Sequence, residues 1–230
     1  MMEILLDTAN IETIKKYEAI LPLAGVTTNP SIIKKEGKID FFAHMKAIRE
    51  VIGEKRSLHI QVVAKDKVGM LKDVEAISEQ LGREIYFKVP VSSEGLKVIK
   101  ALKKEGLNVT ATAIYTKFQA YLAIAAGADY IAPYFNRMEN LNIDARKALK
   151  AMANEIQASN SQTKIVAASF KNVGQVTTAL EQGAQAVTVA PDIIGQALAM
   201  PSIAQAVDDF TGDWESIFGE NSTIADLNES

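Results

Sequence analysis

The chain has 230 residues, 48% hydrophobic and 23% charged, enough apolar material for one large barrel or two small domains. A net charge of −3, with Lys and Arg interleaved among Asp and Glu, excludes the basic footprint of a nucleic-acid binder. Cysteine is absent, which removes disulfides, thiolate nucleophiles and cysteine-based metal sites, and the two histidines, His44 and His59, lack the spacing of a zinc centre.

In chain order, the first apolar run is Glu3 to Asp7. It follows an N-terminus with neither a basic segment nor a long apolar one, so a cytoplasmic protein without a targeting signal is expected. Similar β-branched runs recur at Gly25 to Thr28, Leu58 to Ala64, Ile85 to Val89, Asn108 to Ala113, Tyr130 to Pro133, Ile165 to Phe170 and Ala186 to Ala190. They are short and lack polar alternation, as parallel strands covered on both faces require. Between them lie amphipathic helical patterns of crossover length. Asp66 to Leu81 carries Val68, Leu71, Val74, Ile77 and Leu81, and Ser93 to Lys104 carries Leu96, Ile99 and Leu102.

Gly82, Gly106, Gly127 and Gly183 fall where these helices should stop, and Asp66 and Ser93 followed by Glu94 are suited to helix starts. Eight such units predict a single (β/α)8 TIM barrel over residues 1–219, rather than an open sheet, and no G-x-G-x-x-G or Walker A segment supports a nucleotide-binding fold. Residues 202–218 form one more helix, whose Ile203, Val207, Phe210, Trp214 and Phe218 would either pack under the barrel or dock on another subunit. The polar tail, 220–230, is expected to be loose. No apolar run approaches the roughly 20 residues that span a bilayer.

Within the fourth run, Lys88 interrupts Ile85-Tyr86-Phe87-Lys88-Val89-Pro90-Val91. Alone, such a lysine reads most simply as a strand-end residue whose stem carries its charge to water. If it stays buried, desolvation lowers its pKa and leaves a neutral amine able to attack a carbonyl. The other strand ends add weight to the second reading. Asp7 closes the first, Thr27 and Asn29 the second, Gln61 lies in the third, Thr112 in the fifth, Tyr134 and Arg137 follow the sixth, and Ser169 and Lys171 the seventh. In a barrel these ends share one mouth. Singly each has a structural alternative: Asp7 as a helix cap, Thr27-Thr28-Asn29-Pro30 as a turn, Gln61 as a satisfied core amide. Together, Asp7 or Tyr134 supplies an acid/base partner for the lysine, and Arg137, Ser169 and Lys171 suit a phosphate.

The segments Leu6-Asp7-Thr8, Gly25-Val26-Thr27-Thr28-Asn29-Pro30-Ser31, Gln61-Val62, Lys88-Val89-Pro90, Ala132-Pro133-Tyr134 with Asn136-Arg137, and Ala168-Ser169-Phe170-Lys171 carry a family resemblance. From the first strand through Trp214 to Gly219, the chain resembles the small transaldolase-like family, and within it the fructose-6-phosphate aldolases. The resemblance implies that Lys88 forms a Schiff base with the substrate ketone and that Asp7 polarises the hydroxyls around it. It implies that Thr27 and Asn29 orient the dihydroxyacetone part, and that Gln61, Thr112 and Tyr134 position the water for dehydration and proton transfer. Arg137 and Ser169 would bind the phosphate. No metal or organic cofactor is implied, since the iminium is the electron sink.

Transaldolases of this family have Glu where Gln61 stands and Phe where Tyr134 stands, so the implied activity is reversible cleavage of fructose 6-phosphate to dihydroxyacetone and glyceraldehyde 3-phosphate. Transfer of the dihydroxyacetone unit to an aldose phosphate is the alternative. A sugar-phosphate-binding barrel without turnover, or a metal-dependent aldolase, is the more distant one. Thr110 and Ala111 stand where the resemblance leads one to expect Leu and Gly, and the segment after Arg137, Met138 to Asp144, is expected as a shorter polar loop. Pentameric or decameric assembly through the C-terminal helix is also implied.

Overall fold

The computed structural model describes residues 2–229. In chain order the elements are β1 (Glu3–Asp7), α1 (Ile11–Ile20), β2 (Leu23–Thr27), α2 (Pro30–Ile33), α3 (Phe41–Ile52), β3 (Ser57–Gln61), α4 (Lys67–Leu81), β4 (Tyr86–Pro90), α5 (Ser93–Lys104), β5 (Asn108–Ile114), α6 (Lys117–Ala125), β6 (Tyr130–Pro133), α7 (Phe135–Asn140), α8 (Ala145–Ala158), β7 (Lys164–Ala167), α9 (Val173–Glu181), β8 (Ala186–Val189), α10 (Pro191–Leu198) and α11 (Pro201–Phe218). The eight parallel strands close in sequence order, β1 pairing with both β2 and β8, so the fold is a (β/α)8 barrel with an additional C-terminal helix.

Both strand faces are covered, which accounts for the unbroken apolar runs. Leu6, Phe87, Val89, Val109 and Ile131 are fully buried. Inside the barrel, Leu5, Tyr130, Ala132, Val166 and Ala186 pack together, with Ala24 and Tyr86 against them. At the N-terminal end of the strands Tyr130 Oη donates to Glu3 Oε2 at 2.6 Å, and Lys164 pairs with the same carboxylate. This closed end serves stability and leaves the opposite end for chemistry.

Helix starts follow local capping chemistry. Asn10, Asp40, Asp66, Ser92, Asp144 and Asn172 each accept the N–H three residues on, and Thr116 with Gln119 forms a capping box. The cap of α5 is thus Ser92, one residue before the expected start, and the cap of α1 is Asn10 rather than Asp7. Gly82, Gly106, Gly127 and Gly183 all have positive φ, as the helix stops require.

Three expected boundaries move for identifiable reasons. The third strand ends at Gln61 instead of Ala64, because the N–H groups of Val63 and Ala64 donate to the Asp73 carboxylate of α4 at 2.7 and 2.9 Å, not to a neighbouring strand. The seventh ends at Ala167 instead of Phe170, since Ser169 has φ 63° and cannot continue a strand. The expected loop from Met138 is helical as far as Asn140.

The chain divides into two compact units at Pro191/Asp192. In the second, the rings of Trp214 and Phe218 of α11 meet at a tilt of 33° with centroids 4.3 Å apart, and Ile203, Val207, Phe210 and Ile217 are exposed. The tail expected to be loose contains a short helical turn, Ala225–Glu229, and a Thr223 N–H bond to Asp226; Ser230 lies outside the described residues. Among the described residues no helix is long and apolar enough to cross a membrane.

Candidate active site

Side chains alternate along a strand, so the last inward position of each barrel strand meets the others at one mouth. There β1 contributes Asp7, β2 Thr27, β3 Gln61, β4 Lys88, β5 Thr112 and β8 Thr188. They line a cavity of about 390 Å³ together with Asn29, Tyr134, Arg137 and Ser169 from the segments that follow β2, β6 and β7.

Lys88 is 6% exposed, and its Nζ donates to the carbonyl oxygen of Thr28 at 2.6 Å. It belongs to none of the ion pairs among the described residues. Burial pushes its pKa below the ordinary lysine value, and the Asp7 carboxylate only partly opposes this. Asp7 is displaced the other way: burial raises its pKa, while the charge on Lys88 and a hydrogen bond from Thr27 pull it down. Thr27 Oγ1 donates to Asp7 Oδ1 at 2.7 Å and lies 2.6 Å from Thr188 Oγ1. Because the single Thr27 proton goes to Asp7, Thr188 is the donor of the second bond, and the three form a directed chain ending on the carboxylate.

Opposite this chain, Thr112 Oγ1 and Tyr134 Oη are 2.9 Å apart. Burial raises the Tyr134 pKa, so the phenol keeps its proton and can donate it. Its ring meets Tyr115 edge-on with centroids 5.5 Å apart, and the Arg137 guanidinium lies 4.7 Å from its centroid. Arg137 Nη1 also donates to Tyr115 Oη at 3.1 Å. The backbone anchors this corner: Tyr134 N–H donates to Ile114, Phe135 N–H to Ala168 and Asn136 N–H to Ser169.

Gln61 Oε1 is buried and has no hydrogen-bond partner among the described residues, an acceptor for a water or a substrate proton. Asn29 caps α2 by accepting the Ile32 N–H through Oδ1 at 3.0 Å, a bond that does not involve its Nδ2. Two non-glycine residues of the lining have positive φ, Ala113 at 58° and Ser169 at 63°. Ala113 sits at the register irregularity between β5 and β6, and backbone strain of this kind is held in place where it positions a site.

Nine of the ten residues singled out in the sequence therefore line one cavity. The tenth, Lys171, is exposed and outside the lining; its N–H donates to Gln175 Oε1. Sequence reading passed over Thr188, Tyr115 and Ser31. Thr188 is a hydroxyl in an apolar strand, the same signal that drew attention to Thr112, and Tyr115 follows directly on the fifth strand. Among the described residues no group of three His, Cys, Asp or Glu side chains is arranged to hold a metal ion.

A buried amine of lowered pKa, a carboxyl of raised pKa and a protonated phenol around one cavity can add to a carbonyl, lose water and move protons. Two comparisons bear on that chemistry. The family described as Transaldolase/Fructose-6-phosphate aldolase matches residues 4–227. A protein of Streptococcus pneumoniae named "Probable fructose-6-phosphate aldolase" is 57% identical over 213 residues, covering 93% of this chain and 96% of that protein.

Proposed function

The chain belongs to the transaldolase/fructose-6-phosphate aldolase family, and from that premise we propose that it cleaves fructose 6-phosphate reversibly through a Schiff base on Lys88. The observation that carries this reading is the environment of Lys88: buried, in the cavity, hydrogen-bonded to a carbonyl rather than paired with a carboxylate.

Neutral Nζ attacks the ketone C2, and the carbinolamine loses water, its hydroxyl taking a proton from Tyr134 or from a water held by Tyr134, Thr112 and Gln61. The iminium then accepts the C3–C4 bonding pair as the group deprotonated in that step, Tyr134 or its held water, takes the C4 hydroxyl proton, and glyceraldehyde 3-phosphate departs. The enamine left on Lys88 is protonated at C3, and water hydrolyses the imine to release dihydroxyacetone and free lysine. Asp7, fed by Thr27 and Thr188, fixes substrate hydroxyls. Arg137 and Ser169 at the mouth suit the phosphate. Lys171 has no part in the cavity and is left out of this assignment.

The second reading, transaldolase, differs only in the fate of the enamine. Gln61, a neutral acceptor without a partner among the described residues, and the Thr112–Tyr134 hydroxyl pair favour a held water that protonates the enamine, hence the aldolase. A coupled assay following glyceraldehyde 3-phosphate from fructose 6-phosphate in EDTA separates the two. Release without acceptor is expected; release only when erythrose 4-phosphate is added overturns the aldolase reading in favour of transfer.

The same proposal includes a cytoplasmic homo-oligomer. Without cysteine the fold does not need an oxidising compartment, and the exposed apolar residues of α11, Val207, Phe210 and Ile217 among them, suit a neighbouring subunit. Light scattering giving a multiple of the chain mass is the expected result.

A further inference from the structure

Thr110 and His59 lie beside the reacting lysine and are not used in the steps above. Thr110 is the register partner of Lys88 on β5, lines the cavity, and is one inward position deeper than Thr112. Its Oγ1 lies 2.8 Å from His59 Nδ1. The imidazole is fully buried, stacked on Tyr86 at 4.6 Å between centroids and edge-on to Tyr130 at 5.3 Å, so it has no freedom to turn. Its Nε2 is 2.9 Å from Ser57 Oγ, which in turn donates to the Ala24 carbonyl at 3.3 Å. Gly25 leaves room for that serine, since a Cβ there would come within 2.1 Å of Ser57 Oγ.

The bond from Ser57 to Ala24 assigns the His59 tautomer, and with it the direction of the Thr110 bond. Ser57 spends its only proton on Ala24 and can therefore only accept from His59 Nε2–H. Burial, with Lys88 and Arg49 nearby, holds the imidazole neutral, and a neutral ring protonated on Nε2 has a lone pair on Nδ1. Thr110 must donate to it. Its oxygen then has lone pairs only to offer the cavity.

We propose that Thr110, oriented by His59, accepts a hydrogen bond from the C1 hydroxyl of the dihydroxyacetone unit and so sets the ketone specificity of this site. The inference rests on the Schiff-base reading. Once Nζ is bound to C2, the phosphate-bearing arm leads to Arg137 and Ser169 at the mouth. The short C1 arm is left with the deeper lining next to Lys88, where Thr110 offers an acceptor while Gln61, on the other side of Lys88, holds the water of the dehydration step. Thr110 is a specificity residue, and His59 is a positioning residue that acts through it.

Hydroxyacetone lacks only the C1 hydroxyl, so it isolates this contact. In condensation with glyceraldehyde 3-phosphate, the ratio of kcat/KM for dihydroxyacetone to that for hydroxyacetone should fall about tenfold in Thr110→Val, the scale of one neutral hydrogen bond. Thr110→Ser should restore it. His59→Phe combined with Thr110→Val removes both partners together, and carries the same expectation should the single variant fail to fold. An unchanged ratio in active variants overturns the subsite and leaves the aldolase standing. A wild-type protein that condenses neither ketone overturns the aldolase reading, and the subsite with it.

Discussion

Lys88 Nζ and the Thr28 carbonyl oxygen stand 2.6 Å apart, joining the middle of β4 to the residue that follows β2. A carbonyl holds an amine in place without supplying the negative charge that would keep it protonated. Position and reactivity are thus obtained from one contact, at a cost in stability.

That cost has a pH signature. With its folded pKa below the unfolded value of 10.5, Lys88 destabilises the protein fully at pH below the folded pKa. The penalty shrinks as pH rises from there to 10.5, because the unfolded chain binds the proton that the folded one has lost. Lys88→Met should therefore abolish turnover and raise Tm at neutral pH, the gain disappearing towards pH 10.5. Thermal unfolding of both proteins across that range is the check; a Tm lowered at neutral pH would contradict the account.

Tyr134→Phe removes one hydroxyl of the pair with Thr112. The rate of fructose 6-phosphate cleavage should fall about a hundredfold, as loss of an acid/base group does. Stability should drop by only about 1 kcal/mol, for the Thr112 hydroxyl left without its partner. Comparing kcat with the denaturant midpoint separates the two effects, and an unchanged rate removes Tyr134 from the chemistry.

Arg137→Ala should raise KM for fructose 6-phosphate at least tenfold while leaving KM for dihydroxyacetone, which has no phosphate, near its wild-type value. Steady-state kinetics in both directions measure this split. An equal loss for both ligands would place Arg137 with Tyr134 and Tyr115 as a support for the phenol rather than an anion contact.

How much of this was legible in the sequence varies by residue. Lys88 announced itself because nothing else in its apolar run is charged, and the eight strands did so because two-sided burial leaves no polar alternation to confuse them. Ser169 did not: a serine at φ 63° has no local signature, so the apolar run to Phe170 reads as strand beyond its end at Ala167. Lys171 stands two residues on, yet Ser169 lines the cavity while Lys171 is exposed outside it. Asn29 shows a different limit, since the side chain that caps α2 also faces the cavity, and a cap and a ligand look alike in sequence. The His59–Thr110 bond joins residues 51 apart on strands that are not neighbours, a relation only barrel closure creates.

Gly95 tests how the scaffold holds the lysine. A Cβ there would lie 1.8 Å from the Pro90 carbonyl, where α5 begins against the end of β4. Gly95→Ala should cost about 1–3 kcal/mol, typical of overpacking, and lower kcat by moving the strand end beyond Lys88. Unaltered stability would mean that this junction yields without strain.

The central claim is tested most directly by borohydride reduction in the presence of dihydroxyacetone, followed by peptide mapping by mass spectrometry. The account predicts inactivation with one reduced three-carbon adduct, located on Lys88 and absent from Lys88→Met. Full activity after reduction, or an adduct on another lysine, would contradict it.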